Sequence, residues 1–469
     1  MGYEAIEFHN LYQVDDTLVV VGIGVESIIP YDAKPKFSKF DMDGNLFSTH
    51  VTLRDTAESY FPFYHNASSS SKNHILISGG AGGGGHFAFG FAALYSKSGD
   101  FKWIYHTVPS PDNVSNNIHG SILLDDSSSY LWVSDRFGDN IFTVRLTKLN
   151  PDGTLDWKIR YEDDFWNYTA MSMMMDSDSN LVTGLYRNVK AFPTDTTNIH
   201  SAVWKLDQEG NILNKVSFDS YSYGVDEIVE AEDGGYLLAD RIALEFDNQN
   251  RPLYKSRIRK ISKELEQKWN LDLGIPYYNT ELLKILRLED GNYIAAGHSY
   301  HQFDSGEYCS CGHVIKFSNE GNVIWESFIN KEIPKDKEHT FTENFFYDIT
   351  ELETGDLVGV GSSIGRLVDS FPQQAWMVRL NNEGKLVNII DLPTNEQYNP
   401  VTVFPNPAYD HINITVENEK IETVELFSVS GNLLFKANNV QNINMLTYPS
   451  GIYYLRINGK WTRKIVKSI

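Results

Sequence analysis

Along most of its length the chain alternates short apolar runs with polar, glycine-bearing interruptions. One unit recurs: a charged stretch, a glycine, then an apolar stretch that often includes Trp. It reads KFDMDGNLF (39–47), LYSKSGDFKW (94–103), KLNPDGTLDW (148–157), KLDQEGNIL (205–213), KISKELEQKW (260–269), KFSNEGNVIW (316–325) and RLNNEGKLV (379–387). The turn residues are Gly44, Gly99, Gly153, Gly210, Leu265, Gly321 and Gly384, separated by 55, 54, 57, 55, 56 and 63 residues. Five residues before the turn stands Lys or Arg in six of the seven copies, and four before it always Phe, Tyr, Leu or Ile. A second hairpin signal lies upstream, as in DEIVEAEDGGYLLAD (226–240), LLKILRLEDGNYIAAG (282–297) and DITELETGDLVGVG (348–361). Apolar runs joined by Asp-Gly, Gly-Asp or Gly-Gly are antiparallel hairpins. Each copy therefore predicts four short strands, and no segment has a sustained helical period. Leu265 predicts a different turn in the fifth copy, because Leu tolerates a positive φ poorly.

Four strands per copy, seven copies and a period near 56 predict a seven-bladed β-propeller over residues 1–392. This part resembles secreted propeller repeat proteins. Trp103, Trp157, Trp269 and Trp325 share one repeat position, which predicts packing between blades. Acidic turns such as Glu232-Asp233 and Glu289-Asp290 read as solvated hairpin ends. The connections between second and third strands are long and dissimilar, including 79–90, 186–200, 244–254, 298–312 and 362–374. Varied loops on one face, opposite uniform turns, mark the expected binding face. The glycine-rich 79–90 lacks the Gly-Lys-Ser/Thr ending and the following helix of a phosphate loop, and reads as a plain loop.

From Val401 the repeat stops. Short apolar runs continue (VTVFPNPA, HINITV, TVELFSV, LLFKA, GIYYLRI, RKIVKS), which predicts a small antiparallel β-sandwich over 401–469, joined by the linker PTNEQYNP (393–400). This segment resembles the type A C-terminal sorting domain of the type IX secretion system of Bacteroidetes. The resemblance rests on Pro405-Asn406-Pro407 with Asp410, on Ser428 to Gly431, on Gly451 and Tyr453, and on the basic end with Lys464 and Lys467. It implies recognition by the type IX machinery and a secreted or outer-surface protein, delivered after a signal peptide that this numbering does not include.

Charge narrows the partners. The net charge is −22; residues 401–469 hold seven Lys/Arg and five Asp/Glu, so the tail is +2 and the rest −24. Such acidity argues against nucleic acid. No apolar run reaches a transmembrane length. Aromatics at 13% and an apolar share of 41% suit a packed interior rather than disorder. The expected ligand residues follow the second strands on the loop face: Asp135, Arg136, Tyr186, Arg187, Asp240, Arg241, His298 and Tyr300. Carboxylates, guanidinium groups and aromatic rings suit a glycan, and Asp with Tyr or His could support acid–base work; intra-blade ion pairs and packing are the bland alternative. His298, His301, Cys309, Cys311 and His313 fall within sixteen residues, a spacing open to Zn or to a Cys309–Cys311 disulfide. DMDGN and NPDGT lack the full calcium-loop spacing, so no cofactor is expected beyond a Ca or Zn option. The main expectation is a propeller that binds an extracellular glycan or surface protein. The alternatives are a polysaccharide lyase or glycosidase, or a structural component of a surface assembly. With no evident nucleophile–base–acid set, binding is favoured over catalysis.

Overall fold

The computed structural model describes residues 6–14, 16–28, 31–42, 46–51, 63–81, 89–97, 99–107, 113–137, 141–189, 199–218, 222–246, 252–273, 280–302, 308–330, 339–367, 373–391, 401–416, 420–428, 433–458 and 461–468. The chain divides into two compact units, Met1–Leu392 and Pro393–Ile469. Among the described residues there is no helix, hence none long and apolar enough to cross a membrane.

The first unit is built from consecutive antiparallel groups of four strands, over 6–51, 63–106, 113–161, 166–217, 222–273, 280–329 and 339–391. In each, the strands pair in chain order. A single parallel bridge, Ser310 to Glu343, joins the sixth and seventh groups into one continuous sheet. The connections between second and third strands lie largely outside the described residues, including most of 79–90, 190–198, 247–251, 303–307 and 368–372.

Period-two alternation lets every strand serve two interfaces. In the first sheet Val19 and Val21 face the second sheet's Ile75, Ile77 and Phe91. Their neighbours Leu18 and Val20 face Leu352, Val358 and Met377 of the seventh. The junctions between share the same construction: Leu94 with Leu131, Trp132 with Trp204, Val203 with Val225, Ile258 with Ile285, and Val314 with Trp376. The succession of packed sheets thus returns to its start. Each fully buried aliphatic side chain contributes about 1.5–3 kcal/mol. Polar links reinforce the last junction: the Leu11 amide donates to Asp348 Oδ2 at 2.9 Å, and Arg379 Nη1 to the Met42 carbonyl at 3.2 Å.

The repeated Lys or Arg has a partner within its own sheet. Lys205 pairs with Asp176 at 2.8 Å, Lys260 with Asp233 at 2.7 Å, Lys316 with Asp290 at 2.7 Å and Arg379 with Asp356 at 2.7 Å. The acidic turns are solvated as expected, Asp233 and Asp290 being about half exposed, and their carboxylates also tie the first hairpin to the third strand.

The second unit consists of a three-stranded and a four-stranded antiparallel sheet around one core that includes Val401, Ile412, Val424, Leu426, Leu455 and Ile465. Asn406 Oδ1 accepts the Val466 amide at 2.8 Å, between the cis peptides to Pro405 and Pro407. Asp410 pairs with His411 at 2.7 Å, and the Tyr453 hydroxyl donates to the Pro449 carbonyl at 2.6 Å. Gly451 has a φ of 155°, and the backbones of Lys464 and Lys467 lie in the last strand. Gly431 lies outside the described residues.

The repeated Trp and Gly meet across sheet junctions. Trp103, on a fourth strand, donates its indole N–H to the Pro151 carbonyl in the next sheet's turn at 2.9 Å. Trp269 does the same to Asn319 at 3.1 Å and Trp325 to Asn382 at 3.2 Å. Each indole lies on the turn glycine. A Cβ on Gly153 would stand 2.5 Å from Trp103, one on Gly321 3.0 Å from Trp269, and one on Gly384 2.6 Å from Trp325. These glycines also have φ of 76–83°, so both backbone and neighbour demand glycine. At Gly210 a Cβ would instead stand 2.8 Å from Ile159 and 3.0 Å from the Tyr161 hydroxyl, which donates to the glycine carbonyl at 2.6 Å.

The fifth turn corrects the expectation for Leu265. It has φ 67° and the same closing hydrogen bond, from the Leu265 amide to the Ser262 carbonyl at 2.9 Å. The reason lies in the preceding sheet, where Asn214 occupies the Trp position. Its amide still donates to the Glu264 carbonyl at 2.8 Å, but it brings no ring. Leu265 fills that side and is buried with Val182, Val203 and Phe218. That burial, about 1.5–3 kcal/mol, offsets the roughly 1–2 kcal/mol of a left-handed non-glycine residue.

Leu265→Gly should therefore destabilise the protein by about 2–4 kcal/mol, and adding Asn214→Trp should recover part of the loss. A double-mutant cycle by chemical denaturation should give a coupling of at least about 1 kcal/mol; additive effects would refute the exchange.

Candidate functional site

The first strands of all these sheets line a cavity of about 680 Å³. His9, Ser69, His119, Met173, Asp226 with Glu227, Lys284 and Tyr347 reach its wall from the seven sheets in turn. Charged residues at strand centres are expensive to bury unless paired, and here they are. Lys284 Nζ lies 2.8 Å from Glu227 and 3.9 Å from Asp348, and Asp348 also accepts the Leu11 amide. This chain of contacts links the fifth, sixth, seventh and first sheets. Burial raises the Glu227 and Asp348 carboxyls, with Lys284 opposing the rise in both. Burial also holds the His119 imidazole down at about 4, so it is neutral at pH 7. His9 pairs with Glu7 at 2.9 Å and stacks on Tyr347 with centroids 4.9 Å apart.

Asp226 differs from the other wall carboxyls in its company. Arg241 reaches it with Nη2 3.0 Å from Oδ1 and Nε 2.9 Å from Oδ2, the second pair out of line for a hydrogen bond. Arg241 also reaches Glu281 Oε1 at 3.3 Å. Burial pushes the Asp226 carboxyl from its ordinary 3.8 to about 7, against the pull of Arg241 and with Glu281 adding to the rise. Burial works against the Arg241 charge as well, but the two carboxylates outweigh it and hold the cation. Tyr254 lies within electrostatic reach of Arg241 and Glu281, and its ring meets Tyr223 edge-on at 4.4 Å. Tyr186 borders Tyr254 from the fourth sheet. Two carboxyls, one guanidinium and three phenol rings thus gather from the fourth, fifth and sixth sheets, beside the cavity.

Of the residues expected to bind ligand, Tyr186 and Arg241 belong to this cluster. Asp240 lies beneath it, fully buried, 2.8 Å from Arg259 Nη2 and hydrogen-bonded by Ser222 at 3.0 Å. Asp135 is likewise buried against Arg145 at 3.0 Å. Arg136 lies over Phe142 at 5.6 Å and Arg187 over Trp166 at 4.1 Å. His298 is buried, 2.6 Å from Ser310 Oγ, stacked on Phe345 and edge-on to Tyr300. Register explains the scatter. Counted from the first hairpin turn, Tyr186, Arg241 and His298 share a position, whereas Asp240 precedes it and Asp135 and Arg187 follow it. One step along a strand changes the face.

The metal reading of the Cys/His group is corrected. Cys309 and Cys311 are joined as a disulfide, which removes both thiolates. His313 pairs with Glu326 at 3.1 Å, and His301 and His313 each stack on Phe328. Among the described residues no group of three His, Cys, Asp or Glu side chains could hold a metal ion.

The site residues that the sequence reading missed are Asp226, Glu227, Glu281, Lys284 and Asp348, with Tyr223 and Tyr254. A signal for three of them exists. Glu227, Lys284 and Asp348 each stand four residues before the residue that opens the first hairpin turn (Ala231, Leu288, Leu352). That is a charge at one repeat position in three consecutive copies.

Residues 402–469 match the family described as the secretion system C-terminal sorting domain. The C-terminal unit is a type IX secretion sorting domain. The sorting domain marks the protein as a substrate of that machinery, with an extracellular or cell-surface destination. No curated protein sequence matches the chain. Among solved structures, a PL25 ulvan lyase, a polysaccharide lyase solved with a bound saccharide, is similar with a TM-score of 0.48 and 10% identity, over 84% of this chain and 98% of that one. A protein of unknown function from Dyadobacter fermentans has a TM-score of 0.44 and 8% identity, over 69% and 93%. A Trypanosoma rangeli sialidase solved with sialic acid has 0.40 and 8%, over 99% and 86%. At such identities no residue role carries over.

The Asp226 environment has a pH signature. A carboxyl raised in the fold contributes stability that is fully present below its unfolded value and is lost as pH rises through the folded one. Asp226 should thus cost the parent stability progressively between about pH 4 and about pH 7. The melting-temperature difference between Asp226→Asn and the parent should shift in favour of the variant across that window and level off above it; a constant difference would show that the carboxyl is not raised.

Proposed function

We propose that residues 1–392 form a seven-bladed β-propeller, carried out of the cell by the sorting domain, that cleaves an extracellular glycan by acid–base chemistry at the Asp226 cluster. The propeller reading is supported by four-stranded meanders whose last sheet packs on the first, around a cavity bordered by every first strand. The observation that carries the function is Asp226: a buried carboxyl at the cavity wall, held near neutral pKa, with a second carboxyl, Glu281, on the same guanidinium. Glycoside hydrolysis needs two carboxyl groups whose environments differ. Asp226, substantially protonated at neutral pH, donates its proton to the glycosidic oxygen as the anomeric C–O bond breaks. Glu281 serves the opposite role, toward the anomeric carbon or the attacking water. Arg241 fixes the pair, and Tyr186, Tyr223 and Tyr254 offer rings and hydroxyls to sugar. Plain glycan binding through the loop face was the simpler expectation, but the cavity cluster favours hydrolysis.

The secreted protein, incubated with a panel of extracellular polysaccharides, should release new reducing ends. Asp226→Asn should lower kcat by roughly 10²–10⁴-fold while leaving glycan affinity within a few-fold. A parent that binds glycan without cutting it would return the function to binding alone. No binding to any glycan would remove the carbohydrate reading.

A further inference from the structure

The wall charges bear on which glycan enters. Glu7, Asp226, Glu227, Glu281 and Asp348 supply carboxyls in and beside the cavity, against the cations Lys284 and Arg241. Lys284 is already shared between Glu227 and Asp348, and Arg241 between Asp226 and Glu281. Each cation is thus already engaged by two carboxylates, while Arg241 Nε, like Asp226 Oδ2 opposite it, makes no hydrogen bond. Asp226, more than nine-tenths buried at the wall, keeps Oδ2 without a hydrogen bond. An ammonium group entering beside it pairs with the Glu281 and Glu227 carboxylates; an anion adds to the repulsion there.

Resting on the glycan reading above, we infer that the cavity selects a cationic amino sugar, a de-N-acetylated hexosamine polymer, and rejects uronic and sulfated glycans. The surrounding phenol rings accept a pyranose face without adding positive charge, so the selection falls on the sugar's amine. The chain's overall acidity, −22, attracts a polycation in the same direction.

The test is calorimetric titration of the full chain with size-matched oligomers of glucosamine, N-acetylglucosamine and galacturonate. The glucosamine oligomer should bind at least about tenfold tighter than its acetylated counterpart, the scale of one charge-assisted hydrogen bond, and the uronate should not bind. Glu281→Gln should abolish most of that preference, read as the amine-to-acetamide affinity ratio within the variant, so that a loss of affinity common to both oligomers cancels. Equal binding of amine and acetamide, or a preference that survives Glu281→Gln, would overturn the inference and leave glycan cleavage standing. Tightest binding to the uronate would overturn it outright. If all three fail to bind while another polysaccharide is cut, the selectivity is wrong and the function right; if no polysaccharide is bound or cut, both fall.

Discussion

An indole laid on a bare glycine turn sets the distance between neighbouring sheets. At Trp103–Gly153, Trp269–Gly321 and Trp325–Gly384 there is no room for a methyl group between them, and the indole N–H is spent on the turn backbone. A contact that is both close-packed and hydrogen-bonded permits little sliding or rotation. At these three junctions it places one sheet relative to the next, and the cavity is the space the first strands leave. The junction between the fourth and fifth sheets supports this by exception. Asn214 keeps the hydrogen bond, Leu265 supplies the missing volume, and the turn keeps its geometry at the cost of a left-handed leucine.

The cavity wall obeys a second constraint. Charges placed at strand centres must be paired across junctions, because no solvent shell replaces what burial removes. Glu227, Lys284 and Asp348 meet that demand from one repeat position on successive sheets, so their pairing also fastens the junctions. Asp226 shares Arg241 with Glu281 much as Glu227 shares Lys284 with Asp348, and burial pushes its carboxyl up to about 7 beside that second carboxylate. A strongly shifted carboxyl at a cavity wall is a candidate for chemistry.

Much of this fold is legible in the sequence because the repeat prints the same turn and strand pattern again and again. The hairpins, the inter-sheet Trp and the distinct tail all follow from spacing. The site is legible only in part. Tyr186 and Arg241 were in view, but Asp135 and Asp240 sit on the opposite face of their strands, a one-residue difference that loop-face reasoning does not see. Asp226 and Glu281 lie on first strands, where hairpin patterning makes them look like ordinary polar positions. Their importance comes from which sheets become neighbours, a long-range fact. The Leu265 turn was misread for a related reason: its compensation stands in another copy, at Asn214.

The central claim is that the place where first strands meet is the place where sugar is held. A crystal structure of the protein with a bound oligosaccharide tests it most directly. The account predicts saccharide density beside Asp226, Arg241 and Glu281, with a sugar ring against Tyr254 or Tyr223. Saccharide bound solely along the Gly153 and Gly321 turns or on the sorting domain, with nothing beside Asp226, would contradict it.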